Sequence, residues 1–160
     1  MFLNQASILF RASPCSDIII GIFSQGNGRI GDLRAAAQIL KGKKINPGVR
    51  HLVTPASQAI FLQALTDGLI RIFIEALALV CNPGCSACFG GQGMLWEGEI
   101  CIGTHNRNFK ARMGHKDSKV FLASPETVAV SAIAGLIKLG PMQVKAFFSK
   151  AIRTPNIAGK

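Results

Sequence analysis

The chain has 160 residues, a formal net charge of +10, and a composition of 49% hydrophobic and 16% charged residues. This composition excludes a disordered chain, and the length predicts one domain with a hydrophobic core. The charge fits a solvated basic surface, or a site that attracts di- or tricarboxylates, better than nucleic-acid binding, because no nucleic-acid motif and no tyrosine accompany it.

The termini and the apolar tracts predict no membrane segment and no secretory signal. Residues 1–10 are apolar but lack the basic start of a signal peptide. The longest apolar tract, residues 60–80, contains Asp67, Arg71 and Glu75, and charges inside a membrane span are costly. Five cysteines, an odd number, fit a reducing compartment better than a disulfide framework, so we expect a cytoplasmic protein.

Strands and helices are predicted to alternate along the chain. A β-branched run at residues 17–23 predicts a buried strand, and a glycine-containing turn then leads to a helix over residues 32–40. The later predictions are strands over 49–55, 77–80, 99–103 and 119–123, and helices over 56–65, from Thr66 or Asp67 to Ala76, and from Ser124 to about residue 137. This alternation favours an α/β domain of three layers, with helices on both faces of a mainly parallel sheet.

Four of the five cysteines lie close together in a loop rich in glycine and proline. Cys81, Cys85 and Cys88 have C-x-x-x-C-x-x-C spacing, and Cys101 follows. Such a set fits an iron–sulfur cluster, but small buried thiols fit it as well. Zinc is disfavoured, because no second ligand pair stands at the spacing of a zinc finger.

Arg107 and Arg112 follow the cysteines and are five residues apart. Paired guanidinium groups can bind carboxylates through parallel N–H donors, although structural ion pairs use arginine in the same way. A soft-metal site beside such a pair predicts chemistry on a small organic acid.

The longer motifs resemble the aconitase superfamily, and the large subunits of 3-isopropylmalate dehydratase and homoaconitase most of all. The motifs are Pro-Gly-Cys-Ser-Ala-Cys-Phe-Gly-Gly at residues 83–91, Asn-Arg-Asn-Phe at 106–109 and Arg-Met-Gly-His at 112–115. The resemblance matches the last third of the family's large subunit. It implies an aconitase-type domain over residues 17–137. Outside this range lie an N-terminal segment 1–16 of unclear role and a basic tail 138–160, which does not match the family and has helical spacing over 142–152.

The resemblance also implies a [4Fe–4S] cluster held by three cysteines. Cys85 and Cys88 match two of these ligands, whereas Gln25 occupies the position of the third. An amide oxygen is a poor ligand for iron in a sulfide cluster, so the substitution is expected to weaken cluster binding. Cys81 is the candidate replacement thiolate, and a small buried side chain is the alternative interpretation of that residue.

Other residues acquire roles by the same resemblance. Asn27 and Asn106 match residues beside the cluster, and Arg107 and Arg112 match substrate-binding arginines. Ala111 stands where the family usually has glycine, so its methyl group is expected to disturb the arginine loop if the backbone there needs glycine. A second departure is Gly31, which replaces a usual acidic residue.

The implied function is a hydro-lyase that dehydrates and rehydrates a 2- or 3-hydroxy di- or tricarboxylate, as in leucine biosynthesis. No catalytic acid or base of the family falls in this chain. The implied partners are a small hydroxy-carboxylate, a small subunit with the swivelling domain, and the missing N-terminal part of the large subunit, so we expect the chain alone to be inactive. The alternatives are a degenerate module that has lost the cluster and a basic nucleic-acid-binding domain.

Overall fold

A computed structural model describes residues 28–84, 91, 93–107 and 109–138, and the backbone of residues 18–22. The predicted helical spacing over residues 142–152 lies outside the described residues, as do the segments 1–16 and 139–160. The structural account below concerns the described residues.

Five strands form one sheet, and every neighbouring pair is parallel. The strands are β1 (Ile18–Ile22), β2 (Val49–Val53), β3 (Leu79–Val80), β4 (Ile100–Gly103) and β5 (Lys119–Leu122). Their order in the sheet is β3-β2-β1-β4-β5, so β1 is central. The chain adds strands on one side of β1 and then crosses to the other side, which creates a topological switch point between β1 and β4. The predicted parallel α/β class is confirmed.

The helices are α1 (Ile30–Leu40), α2 (Gln58–Thr66), α3 (Leu69–Glu75) and α4 (Pro125–Ala134). Ser124 caps α4 as predicted, because its side chain accepts a hydrogen bond from the Thr127 N–H at 3.3 Å. The predicted end near residue 137 is wrong: Gly135, at φ 70°, takes the left-handed conformation that ends the helix. Within the described ranges, none of the helices has the length and apolar character that crossing a membrane requires.

The junction between α2 and α3 corrects a second boundary. Neither Thr66 nor Asp67 caps α3; the N-cap is Gly68, at φ 72°, a conformation that glycine adopts without steric cost. Asp67 instead ends α2, and its carboxylate accepts a hydrogen bond from Arg34 Nη2 at 2.7 Å. This ion pair ties the junction to α1, and sequence spacing contains no sign of it.

The helices pack together over one face of the sheet. Helix α1 contacts each of the other three, and side chains from both layers fill the main core, among them Leu33, Leu40, Phe73, Val53 and Ile102. The β1–β2 and β4–β5 connections run in opposite directions across the sheet, so right-handed crossovers place them on opposite faces. In the described part of the chain the second face is covered by the irregular stretches of segment 94–118 that lie on either side of β4. The helices expected on that face are not among these residues.

Segment 94–118 closes on itself through a short parallel bridge. The Leu95 N–H donates to the Met113 carbonyl, and the His115 N–H donates to the Leu95 carbonyl, both at 2.8 Å. Gly114 sits between them, and a Cβ atom there would collide with the Leu95 carbonyl oxygen. The buried Leu95 and Met113 side chains then pack on Leu52 of β2, which attaches the segment to the sheet.

Candidate functional site

The segments that carry the predicted site residues leave the same edge of the sheet. Because all strands are parallel, their carboxyl ends lie together. Residues 104–107 follow β4, and residue 23 follows the neighbouring β1. Cys81 follows β3, and its N–H donates to the Val53 carbonyl at the end of β2 at 2.8 Å. Such an edge is where open parallel sheets bind their ligands.

The two predicted substrate-binding arginines lie in one compact loop. Arg112 Nη1 donates to the Arg107 carbonyl oxygen at 3.0 Å, and the Arg112 N–H donates to the Phe109 carbonyl at 3.2 Å. The guanidinium carbon of Arg112 lies 5.3 Å from the centre of the Phe109 ring, within cation–π range. Arg107 and the neighbouring Asn106 are exposed to solvent. The loop therefore presents cationic groups at the sheet edge.

Ala111 has a backbone conformation that favours glycine, the residue that the family usually has at this position. Its φ is 64°, in the left-handed region where a Cβ atom costs about 1–2 kcal/mol. The backbone here does favour glycine, and the chain forms the same turn with alanine at a cost in stability. The strain lies directly beside Arg112, so the loop geometry and the arginine position are coupled.

His105 is the buried residue at the start of the arginine loop. The residue is 2% exposed, and its pKa is lowered from 6.5 to about 4, first by burial and second by the positive charge of Arg112. The imidazole is therefore neutral at neutral pH and adds no charge beside the arginines.

A buried ion pair attaches segment 94–118 to β2. Glu99 is 6% exposed, and its Oε1 accepts from Arg50 Nη2 at 2.7 Å while its Oε2 accepts from the Trp96 N–H at 2.7 Å. No sequence motif marks Arg50 as part of an ion pair. The sign that the sequence does contain is an arginine within a strand whose other residues are apolar or histidine.

The two described cysteines are protonated thiols. The thiol of half-buried Cys81 donates a weak hydrogen bond to the Leu79 carbonyl at 3.9 Å. Burial raises its pKa, against a smaller opposing effect of Thr54. Burial raises the pKa of Cys101 to about 12, and this residue lies inside β4. Cys101 is thus a small buried residue. Cys81 would release its proton on binding a metal, since a ligand must be a thiolate.

The remaining predicted ligands lie outside the described residues, as Gln25, Asn27, Cys85 and Cys88 all do. Over the described ranges, no three side chains of the His, Cys, Asp or Glu type come together as a metal site. The described part of the candidate site is therefore the arginine loop with Asn106, together with Cys81 at the end of the edge strand β3.

The parallel sheet, with the loops of the candidate site at its carboxyl edge, places the domain in the class of open α/β folds. The Aconitase family (aconitate hydratase) model matches residues 16–135, so the chain belongs to the aconitase family. It is 57% identical over 112 residues to 3-isopropylmalate dehydratase large subunit 2 of Archaeoglobus fulgidus, which is 69% of this chain and 27% of the relative.

Two further relatives show the same extent of similarity. The chain is 54% identical over 112 residues to the methanogen homoaconitase large subunit of Methanocaldococcus jannaschii, again 69% of this chain and 27% of the relative. It is 53% identical over 121 residues to the 3-isopropylmalate dehydratase large subunit of Clostridium kluyveri, 75% of this chain and 28% of the relative. The chain therefore spans little more than a quarter of the length of these curated relatives.

Replacing Ala111 by glycine is expected to raise the free energy of unfolding by about 1 kcal/mol, because glycine removes the left-handed strain. Chemical denaturation measures this change. Ala59→Gly in the exposed part of α2 is the matched control and is expected to lower stability by about 1 kcal/mol. A neutral or destabilising Ala111→Gly would show that residue 111 does not hold this conformation in solution.

The low pKa of His105 predicts a loss of stability in acid. His105 binds a proton near pH 6.5 in the unfolded chain and only near pH 4 in the folded chain. The contribution of neutral His105 to the free energy of unfolding is therefore complete above pH 6.5 and declines as the pH falls. The loss is expected to reach about 3 kcal/mol by pH 4. Denaturation from pH 7 to 4 of the wild type and of His105→Asn measures it, with His115→Gln as the control for removal of an imidazole. Equal pH slopes in the wild type and His105→Asn would contradict the prediction.

Proposed function

We propose that the chain supplies the cluster loop and the substrate-binding arginines of a hydro-lyase of the 3-isopropylmalate dehydratase and aconitase type. The substrate class is a 2- or 3-hydroxy di- or tricarboxylate. The observation that carries the proposal is the loop after β4, where Arg112 folds back onto the Arg107 carbonyl at the switch-point edge of the sheet. The proposed unit is residues 17–137, flanked by segments 1–16 and 138–160.

In this proposal Arg107 and Arg112 bind the carboxylate groups of the substrate. Two guanidinium groups held in one turn match a dicarboxylate in charge and in donor geometry. The Phe109 ring and the Arg107 carbonyl restrict the Arg112 side chain before substrate binds, which lowers the entropy lost on binding. The neutral His105 below the loop leaves the positive field of the arginines to dominate.

The cofactor in this proposal is a [4Fe–4S] cluster. Cys85 and Cys88 would hold it, with Gln25 in the third ligand position and Asn27 and Asn106 alongside. When bound, the cluster supplies a Lewis acid that makes hydroxide a better leaving group. Cys81 would have to lose its proton, which burial disfavours, before it could replace the missing ligand.

No catalytic acid or base is assigned to this chain. We infer that these groups come from the part of the large subunit that lies outside the region matched in the relatives, and from a small subunit that carries the swivelling domain. The chain alone is then inactive. The odd number of cysteines supports a reducing compartment, and a cytoplasmic location is part of the proposal.

A second candidate function is a non-catalytic member of the family that has lost the cluster. The observation that favours it is Gln25, since a neutral amide oxygen binds cluster iron poorly. The two candidates share the fold and the arginine loop and differ in whether the cluster assembles.

The substrate-binding role predicts that Arg107→Lys and Arg112→Lys each weaken the binding of 3-isopropylmalate about tenfold to a hundredfold, because lysine keeps the charge but loses the paired donors. Titration calorimetry with the 160-residue chain measures the change. Lys110→Gln, which removes an exposed charge from the same loop, is the control and is expected to change affinity less than about threefold. A larger effect of Lys110→Gln than of either arginine variant would mean that only net charge attracts the ligand.

The cofactor role predicts that anaerobic reconstitution loads the wild-type chain with iron and acid-labile sulfide near four of each per chain. Cys85→Ser and Cys88→Ser are each expected to abolish loading, whereas Gln25→Cys stabilises it against chelators. Cys101→Ser, at the buried thiol, is the matched control and is expected to load normally. Loading of Gln25→Cys but not of the wild type would support the degenerate candidate, and no loading of either would contradict both cluster-based expectations.

A further inference from the structure

Helix α2 has an apolar face that the described part of the chain leaves exposed to solvent. The helix is apolar on several sides, yet Ala64 is its one fully buried residue, and Leu62 and Leu65 are 63% and 48% exposed. A helix with apolar residues around most of its circumference is normally buried on more than one side. The described part of the chain covers one side of α2, through its contacts with α1 and α3.

The apolar exposure continues from α2 along the chain to β3. Ile74 near the end of α3, Leu77 in the following turn and Leu79 on β3 are between 57% and 65% exposed. Leu77 also has φ 72°, a left-handed conformation that is unfavourable for leucine. The N–H groups of Leu77 and Ala78 donate to the Ile74 and Phe73 carbonyls, so this conformation ends α3. The exposure of the apolar side chain is what points to a role outside the isolated fold.

The edge of the sheet at β3 is open as well. Strand β3 pairs with β2, and among the described residues no strand pairs with its other side. Beside it lies a groove of about 510 Å³, lined in part by Leu52, Leu79 and Val80. An exposed strand edge with an apolar groove is a typical place for another polypeptide to add to a sheet.

We propose that the β3-edge surface, formed by Leu62, Leu65, Ile74, Leu77 and Leu79, docks the remaining part of an isopropylmalate dehydratase-type large subunit. The inference rests on the proposed function, which requires that part to complete the active site. The matched 112 residues are 27% of the Archaeoglobus fulgidus relative, so nearly three quarters of that subunit lies outside the matched region and needs a surface of the matched domain to contact.

Two observations favour this occupant over a second copy of the chain. A net charge of +10 opposes self-association. In addition, β3 leads directly into Cys81 and the predicted cluster loop, so a polypeptide docked at this edge would lie beside the site that lacks acid and base groups.

A chimera tests the surface. The matched 121 residues of the Clostridium kluyveri large subunit are replaced by the corresponding residues of this chain, and Leu62→Lys and Leu77→Lys are introduced into both the chimera and the 160-residue chain. Each substitution is expected to lower the Tm of the chimera by at least about 5 °C and that of the 160-residue chain by no more than about 1 °C. The matched control is Leu122→Lys, at the exposed position on the opposite edge strand β5, which is expected to change neither Tm by more than about 1 °C.

Hydrogen exchange gives a second readout that needs no substitution. Amides of α2 and of residues 77–80 are expected to exchange at least tenfold more slowly in the chimera than in the 160-residue chain, and those of β5 to change less than threefold. Equal exchange, equal Tm shifts in the two proteins, or a chimera that fails to fold would overturn the proposal. A homodimer of the 160-residue chain that Leu77→Lys dissociates, measured by light scattering, would overturn it in favour of a second copy.

Neither readout uses iron or substrate. A protected surface in a chimera that binds no cluster would refute the proposed function and retain the docking partner. A chimera that binds the cluster but leaves the surface unprotected would retain the proposed function and refute the docking partner.

Discussion

The position of β1 between β2 and β4 is the constraint on which the rest of the domain depends. Ile18 pairs with Val49 on one side and with Ile100 on the other, so one short strand supports both halves of the sheet. The two halves send their connections to opposite faces, and the loops after β1 and β4 start next to each other. The arginine loop, the packing of segment 94–118 and the helical layer all follow from this arrangement.

The arginine loop shows how such a scaffold holds charge at a defined place. The buried neutral imidazole of His105 lies beneath Arg112, and the Phe109 ring lies beside it. The Arg107 carbonyl and the Phe109 ring both contact the Arg112 guanidinium and restrict its position. The strained backbone at Ala111 is the cost of this turn. A loop built in this way is suited to an anionic ligand.

The exposed apolar surface and the arginine loop occupy different parts of the domain. In the docking proposal, the apolar surface contacts the part of the large subunit that lies outside the region matched in the curated relatives. The leucines of α2 and the strained Leu77 lie at the edge that leads to the predicted cluster loop, and the arginine loop lies across the sheet from that edge. Separate surfaces for docking and for anion binding are compatible with one domain of a larger active site.

Local signals determined much of the fold. Ser124, Pro125 and Gly135 act within one or two turns of a helix, so the sequence by itself determined where α4 begins and contained the signal for its end. The β-branched runs predicted the strands in the same way, and the motifs around Arg107 and Arg112 were sufficient to identify the family. These features depend on backbone preferences and short spacings that the residues themselves encode.

Contacts between distant residues were decided by the tertiary structure. Arg50 and Glu99 are 49 positions apart, and Arg34 and Asp67 are 33 apart, so no periodic pattern links either pair. Cys101 belongs to the cysteine cluster in sequence, yet strand pairing buries it inside the sheet. Only the fold shows that Ala111 is left-handed and that Leu77 is both strained and exposed. The physical reason is that burial and long-range pairing depend on how elements pack, which the local sequence does not specify.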